Sequence, residues 1–208
     1  MRVLVFGDSI VQGFWDREGG WVQRLRVFYD DLQIADLSRD EPTVFNLGIS
    51  GDTTKNVLQR FVQETEARKW PGEEFVFVFA IGTNDSLAHA RDYESSPEIY
   101  ADQLKELVSK ASKFSAKKLF VGLTSINEKL TNPYMYSLTG KKYTNARIWE
   151  FETILRKFCD NNRLPLVKIF EKFKSRDDLL ADGLHPNDEG HKLIAGLVLP
   201  ELKKLIGS

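Results

Sequence analysis

Four short stretches of the chain carry groups able to work on an acyl carbon. Gly7-Asp8-Ser9-Ile10 offers a hydroxyl, and Gly48-Ile49-Ser50-Gly51-Asp52-Thr53 a glycine N–H. Gly82-Thr83-Asn84-Asp85 offers a side-chain amide, and Asp182-Gly183-Leu184-His185-Pro186 an imidazole with a carboxylate three residues before it. A serine hydroxyl is a poor nucleophile until a base within hydrogen-bond reach takes its proton. The histidines are His89, His185 and His191. His185 is the best placed of them, because Asp182 on the same turn can hold one ring nitrogen while the other faces Ser9. Hydroxyl, base, orienting carboxylate and N–H donors are the parts of acyl transfer. Each part alone has a plainer explanation. Ser9 can be a turn residue, Asp182 and His185 a surface turn capping the last helix, and Gly51 and Asn84 a turn and a cap. Their occurrence together, each just after an apolar run, favours the chemical reading.

Those apolar runs are the elements that must position the groups. Val3 to Phe6, Thr43 to Leu47, Phe75 to Ile81, Lys118 to Leu123 and Leu166 to Ile169 read as strands covered on both faces, with the Phe75 run the most central. Helical spacing links Trp21, Leu25, Phe28 and Leu32, and Val57, Phe61 and Val62 in a helix opening near Asp52-Thr53. It also links Ile99, Leu104, Leu107, Val108 and Ala111, and Ile148, Phe151, Leu155, Phe158 and Cys159. A last helix runs from about Asn187 to Ile206 on Leu193, Ile194, Leu197, Val198 and Leu202, with Pro200 expected to kink or shorten it. Strand and helix in alternation predict an α/β fold with a five-stranded parallel sheet and right-handed crossovers. In such sheets ligands bind beyond the carboxyl ends of the strands, where the four stretches fall.

Composition narrows the partners. A length of 208 residues favours one domain over two. Lys+Arg 29 against Asp+Glu 30 gives no electrostatic reason to expect nucleic acid. The lone Cys159 excludes an internal disulfide and a cysteine-based zinc site, and its helical stripe places it in the core. Four apolar residues before Gly7 are too few for a signal segment, and no run approaches a membrane span. The sequence is therefore expected to be cytoplasmic, with a small-molecule ester as partner and no membrane span.

With these residues in view, the chain resembles the SGNH hydrolases, or GDSL esterase/lipase family. Val5-Phe6-Gly7-Asp8-Ser9-Ile10 matches the first block, with Ile10 in place of the name-giving Leu. Asn46 to Thr53 matches the second with Gly51, Gly82-Thr83-Asn84-Asp85 the third, and Asp182 to His191 the last. The blocks stand in family order from residue 5 to 191. The resemblance implies one hydrolase domain over 1–208, a three-layer α/β/α flavodoxin-like fold, and Ser9 on the first turn of a helix. It implies Ser9 as nucleophile, His185 as base and Asp182 as its orienter. The implied oxyanion hole is the N–H of Ser9, the N–H of Gly51 and the amide of Asn84. No metal and no cofactor are required. The G-x-S-x-G elbow of the α/β hydrolases does not occur.

The neighbouring residues fill supporting parts. Asp8, Asp52 and Asp85 each flank a motif residue and are expected to bind turn N–H groups, against the alternative of a divalent-metal site. His191 is expected to cap or pack. His89 can touch substrate or simply be exposed. The connection from about Thr124 to Tyr143 is long for a compact domain, and Tyr134, Met135 and Tyr136 in it are candidates for a substrate-pocket wall. Ser86 to Pro97, with His89, Arg91, Asp92 and Tyr93, is a second, polar rim. The leading expectation is a serine esterase or acylhydrolase working through an acyl-enzyme. The alternatives are a carbohydrate O-deacetylase or acyltransferase on the same scaffold, and a flavodoxin-like binding module without catalysis.

Overall fold

The computed structural model describes residues 1–89, 92–114 and 116–207. Five strands, β1 (Arg2–Gly7), β2 (Thr43–Gly48), β3 (Phe75–Ala80), β4 (Ala116–Val121) and β5 (Leu166–Val167), form one sheet in the order β2-β1-β3-β4-β5. Every neighbouring pair is parallel. The helices between and after them are α1 (Ser9–Gln12), α2 (Gly20–Ala35), α3 (Thr54–Glu66), α4 (Pro97–Ala111), α5 (Glu128–Thr131), α6 (Asn145–Asn162), α7 (Phe170–Phe173) and α8 (Asp188–Ile206).

The period of two along β3 divides the core. Phe75, Phe77 and Phe79 face α3, α4 and α6, while Val76 and Val78 face α2 and α8. On the aromatic side the Phe61 ring lies 5.1 Å from Phe6 and 5.0 Å from Phe77, and Phe79 lies 5.2 Å from Phe120. Each buried phenylalanine contributes about 1.5–3 kcal/mol relative to exposure, with tilted ring pairs adding about 0.5–1.5 kcal/mol. The sheet is thus covered on both faces, and its chain reversal between β1 and β3 opens a crevice at the carboxyl edge.

The periodicity placed the elements well, with local departures. Val62 and Ile99 were expected on the apolar stripes but are 42% and 52% exposed, because Leu58 and Tyr100 take the inward positions. The fifth strand is only two residues long, and Ile169 already opens α7. Pro200 does not shorten α8, which continues to Ile206. The missing Pro200 N–H leaves one turn unbonded while Val198 and Leu202 keep their core contacts. Cys159 and His191 are both fully buried. Among the described residues no helix is long and apolar enough to cross a membrane.

Candidate active site

Ser9 stands where β1 hands over to α1. Asp8 caps that helix, its Oδ1 accepting the Ile10 N–H at 2.9 Å. The turn passes so close to β2 that a Cβ on Gly48 would collide with the backbone of Gln12 and Asp8. Ser9 is thereby held almost buried at the sheet edge, 6% exposed.

His185 and Asp182 come from the turn that follows a short 3-10 segment, Asp177–Leu179. Ser9 Oγ lies 2.9 Å from His185 Nε2, and His185 Nδ1 lies 2.7 Å from Asp182 Oδ2. With Nδ1–H donated to Asp182, Nε2 is free to accept the Ser9 hydroxyl. Asp182 Oδ1 accepts the N–H groups of Leu184 and His185 at 3.0 and 2.8 Å. Oδ2 accepts two further donors, Trp15 Nε1–H and Tyr134 O–H, each at 2.8 Å. Burial pushes the Asp182 carboxyl up, but the hydrogen bonds and charge of His185, its backbone N–H and the Tyr134 hydroxyl outweigh this and hold it well below the usual carboxylate range. Phe14 packs against the imidazole, with ring centroids 5.6 Å apart.

Across the crevice, Asn84 follows β3. Its Nδ2 donates to Asp52 O at 3.0 Å, and its Oδ1 accepts Tyr143 O–H at 3.0 Å. The amide therefore keeps a second N–H for another acceptor. Gly51 lies exposed after β2 at φ +85°, a conformation that favours glycine.

The flanking carboxylates bind backbone and arginine. Asp52 accepts Arg60 Nε–H at 2.8 Å, and Arg60 also reaches Leu47 O at 2.7 Å, tying α3 to β2. Asp85 is fully buried, and its two oxygens lie 3.1 and 3.0 Å from the Thr54 N–H that begins α3. Burial pushes Asp85 up to about 7 and Asp8 up to about 6, against the hydrogen bonds from Thr54 and Ile10 respectively. Among the described residues no group of three or more His, Cys, Asp or Glu is disposed to hold a metal ion.

The remaining candidates are spread around the rim. His89 Nε2 pairs with Glu94 at 2.8 Å. Met135 and Tyr136 are 58% and 64% exposed, beside the bonded Tyr134. Arg91 lies outside the described residues. His191 Nδ1 accepts the Trp21 N–H at 3.3 Å and Nε2 donates to Phe14 O at 2.9 Å, a packing role that steadies the Phe14 turn. A concavity of about 960 Å³ is lined by Asn127, Glu128, Asn145, Trp149, Phe170 and Asp177 among others. It adjoins the His185 turn through Asn127 N–H, which donates to Gly183 O at 2.8 Å. Trp15, Tyr143 and this concavity were not foreseen. Only the length of the connection from 124 to 143 signalled that it carries more than packing.

The profile of a family described as GDSL-like lipase/acylhydrolase matches residues 5–193. An arylesterase of Vibrio mimicus is 27% identical over 206 residues, covering 98% of this chain and 88% of its own. A GDSL esterase/lipase of rice (Oryza sativa subsp. japonica), WDL1, is 24% identical over 97% of this chain and 77% of its own. Among solved structures, the psychrotrophic esterase EstA of a Pseudoalteromonas species superposes with a TM-score of 0.73 at 20% identity, covering 100% of this chain and 99% of that one. That likeness is one of fold.

Proposed function

The chain belongs to the GDSL-like lipase/acylhydrolase family, and from that premise we propose that it is a serine esterase cleaving small carboxylic esters through an acyl-enzyme. The observation that carries the proposal is the unbroken relay from Ser9 Oγ to His185 Nε2 at 2.9 Å and from His185 Nδ1 to Asp182 Oδ2 at 2.7 Å.

The chemistry follows from those contacts. His185 Nε2 takes the Ser9 proton as Oγ attacks the acyl carbon. Asp182 fixes the ring and stabilises the imidazolium without itself taking the proton. The oxyanion is received by the N–H groups of Ser9 and Gly51 and the free Nδ2–H of Asn84, each worth about 2.7–4 kcal/mol by comparison with other such donors. His185 then protonates the leaving alcohol, and water repeats the sequence on the acyl-Ser9 ester. No step calls for a metal or a cofactor. Asp8, Asp52 and Asp85 set the turns that carry Ser9, Gly51 and Asn84.

A second reading, carbohydrate O-deacetylation, is favoured by the concavity beside the His185 turn, where the aromatic Trp149 and Phe170 stand among the hydrogen-bonding Asn127, Glu128, Asn145 and Asp177. One experiment tests both. Hydrolysis of p-nitrophenyl acetate, longer p-nitrophenyl esters and acetylated oligosaccharides is measured for wild type, Ser9→Ala and His185→Ala, with a serine-reactive organophosphate as inhibitor. The proposal expects Ser9-dependent hydrolysis abolished by the organophosphate. Activity surviving Ser9→Ala overturns the mechanism. A preference for the acetylated sugar over the simple esters selects the second reading.

A further inference from the structure

We propose that Tyr134 and Tyr143, with Trp15, form a positioning brace in which one connecting segment holds both the orienter of the base and the amide donor of the oxyanion hole. The inference rests on the serine-esterase reading and extends it to residues that do not touch the reacting atoms.

Three donors converge on one oxygen. Asp182 Oδ2 receives His185 Nδ1–H, Trp15 Nε1–H and Tyr134 O–H, all within 2.7–2.8 Å. A carboxylate oxygen has two lone pairs, so a third donor is more than orientation of His185 needs. Trp15 reaches this position at φ +64°, a left-handed conformation uncommon for a bulky residue, while its side chain is 59% exposed. Core packing does not explain an exposed indole in that conformation, whereas the bond to Asp182 does. The second tyrosine does the same for the other half of the site, since Tyr143 O–H occupies Asn84 Oδ1 and leaves the amide N–H side for the substrate.

The two tyrosines are one unit. Their rings meet edge to face, 6.2 Å apart. Tyr143 N–H donates to Thr131 O at 2.9 Å, and Tyr134 N–H to Lys141 O at 2.8 Å. Burial, with the charge of nearby carboxylates, pushes both hydroxyls above the ordinary tyrosine range, so both remain donors at working pH. The tip between them presents Met135, Tyr136 and Leu138 to solvent.

The sign of the effect follows from the charge on Asp182. Neutral donors share the charge that Asp182 Oδ2 presents to His185, so removing one of them leaves more of that charge facing the imidazolium. The titratable groups facing His185 are Asp182 on its own turn, Asp8 from the β1–α1 turn and His191 from α8. Those facing Asp182 are His185, Tyr134 and, farther off, Tyr143. Tyr134→Phe leaves every other one in place.

The test is the pH profile of kcat/KM for p-nitrophenyl acetate in Tyr134→Phe, Trp15→Phe and Tyr143→Phe, with Tm measured alongside. Tyr134→Phe and Trp15→Phe are expected to move the acidic limb up by about half a pH unit each. Tyr143→Phe is expected to leave the limb in place and lower kcat about tenfold at unchanged KM. Should a variant turn over too slowly, NMR titration of the His185 ring reads the same displacement. Ser9-dependent activity with unmoved limbs, or with unchanged kcat in Tyr143→Phe, overturns the brace and leaves the esterase reading standing. No Ser9-dependent activity in wild type strikes the esterase reading itself.

Discussion

Ser9 and Asn84 leave the ends of adjacent strands and are fixed within a turn of them, Ser9 by the Asp8 cap and Asn84 by the Asp52 carbonyl. The connection from 124 to 143 reaches the same site from the side. It contains one short helix, α5, and carries its contacts on long side chains, Tyr134 and Tyr143. The first region positions by backbone and therefore tolerates little change of shape. The second positions by side-chain reach and leaves its tip, Met135 to Leu138, free to vary. A scaffold can thus keep one chemistry at its strand ends while its connecting segment adapts the rim to a substrate.

The contrast is broken or sharpened by four experiments. The largest effect is expected for Ser9→Ala, which should lower kcat about 10⁵-fold or more with little change in Tm. A loss under tenfold in ester hydrolysis assays would remove the strand end from the chemistry. Asn84→Ala should lower kcat about 10²–10³-fold at similar KM, measured on the same ester. A KM effect alone would make Asn84 a binding group.

The third experiment concerns what the rigid region costs. Asp85 is raised to about 7 in the folded chain, so its contribution to stability is complete below the ordinary carboxyl value. That contribution is lost as pH rises through about 7, when a buried carboxylate must form. Thermal melts from pH 4 to 8 should show wild type losing about 2–4 kcal/mol relative to Asp85→Asn. Parallel curves for the two proteins would mean that Asp85 ionises freely. The smallest effect belongs to the connecting segment. Replacing Met135, Tyr136 and Leu138 together by alanine should shift acyl-chain preference by about tenfold or less with Tm unchanged. A collapse of activity on every ester would show that the tip is as constrained as the strand ends.

The same contrast explains what the amino-acid sequence reveals. Strands such as Phe75–Ala80 announce themselves because burial on both faces demands continuous apolar residues. Ser9, Gly51 and Asn84 stand out as candidates because short turns keep them next to those strands, whereas Asp182 and His185 lie beyond α7 and the 3-10 segment and stand out by their own spacing. Trp15 and Tyr143 have no such signature. Trp15 meets Asp182 across 167 positions and Tyr143 meets Asn84 across 59, and no periodicity encodes a hydrogen bond at that distance. Tyr134 is a pocket-wall candidate by sequence, and the hydrogen bond from its hydroxyl to Asp182 has no sequence signature either. Pro200 does not shorten α8, because a helix packed on the sheet through Val198 and Leu202 withstands the loss of one backbone bond.

The two-residue β5 has a consequence for self-association. It covers only Phe120 and Val121 of β4, so the first part of that strand is left as an open edge. Open edges recruit other chains by continuing the ladder, and lysine is a common deterrent. Lys117 and Lys118 stand there, with Lys118 Nζ donating to Ala116 O at 3.2 Å. At the opposite margin Asn46 Oδ1 takes the Gly48 N–H at 2.9 Å, occupying a donor that another strand would need. Each margin of the sheet thus carries a local feature that opposes the addition of a further strand.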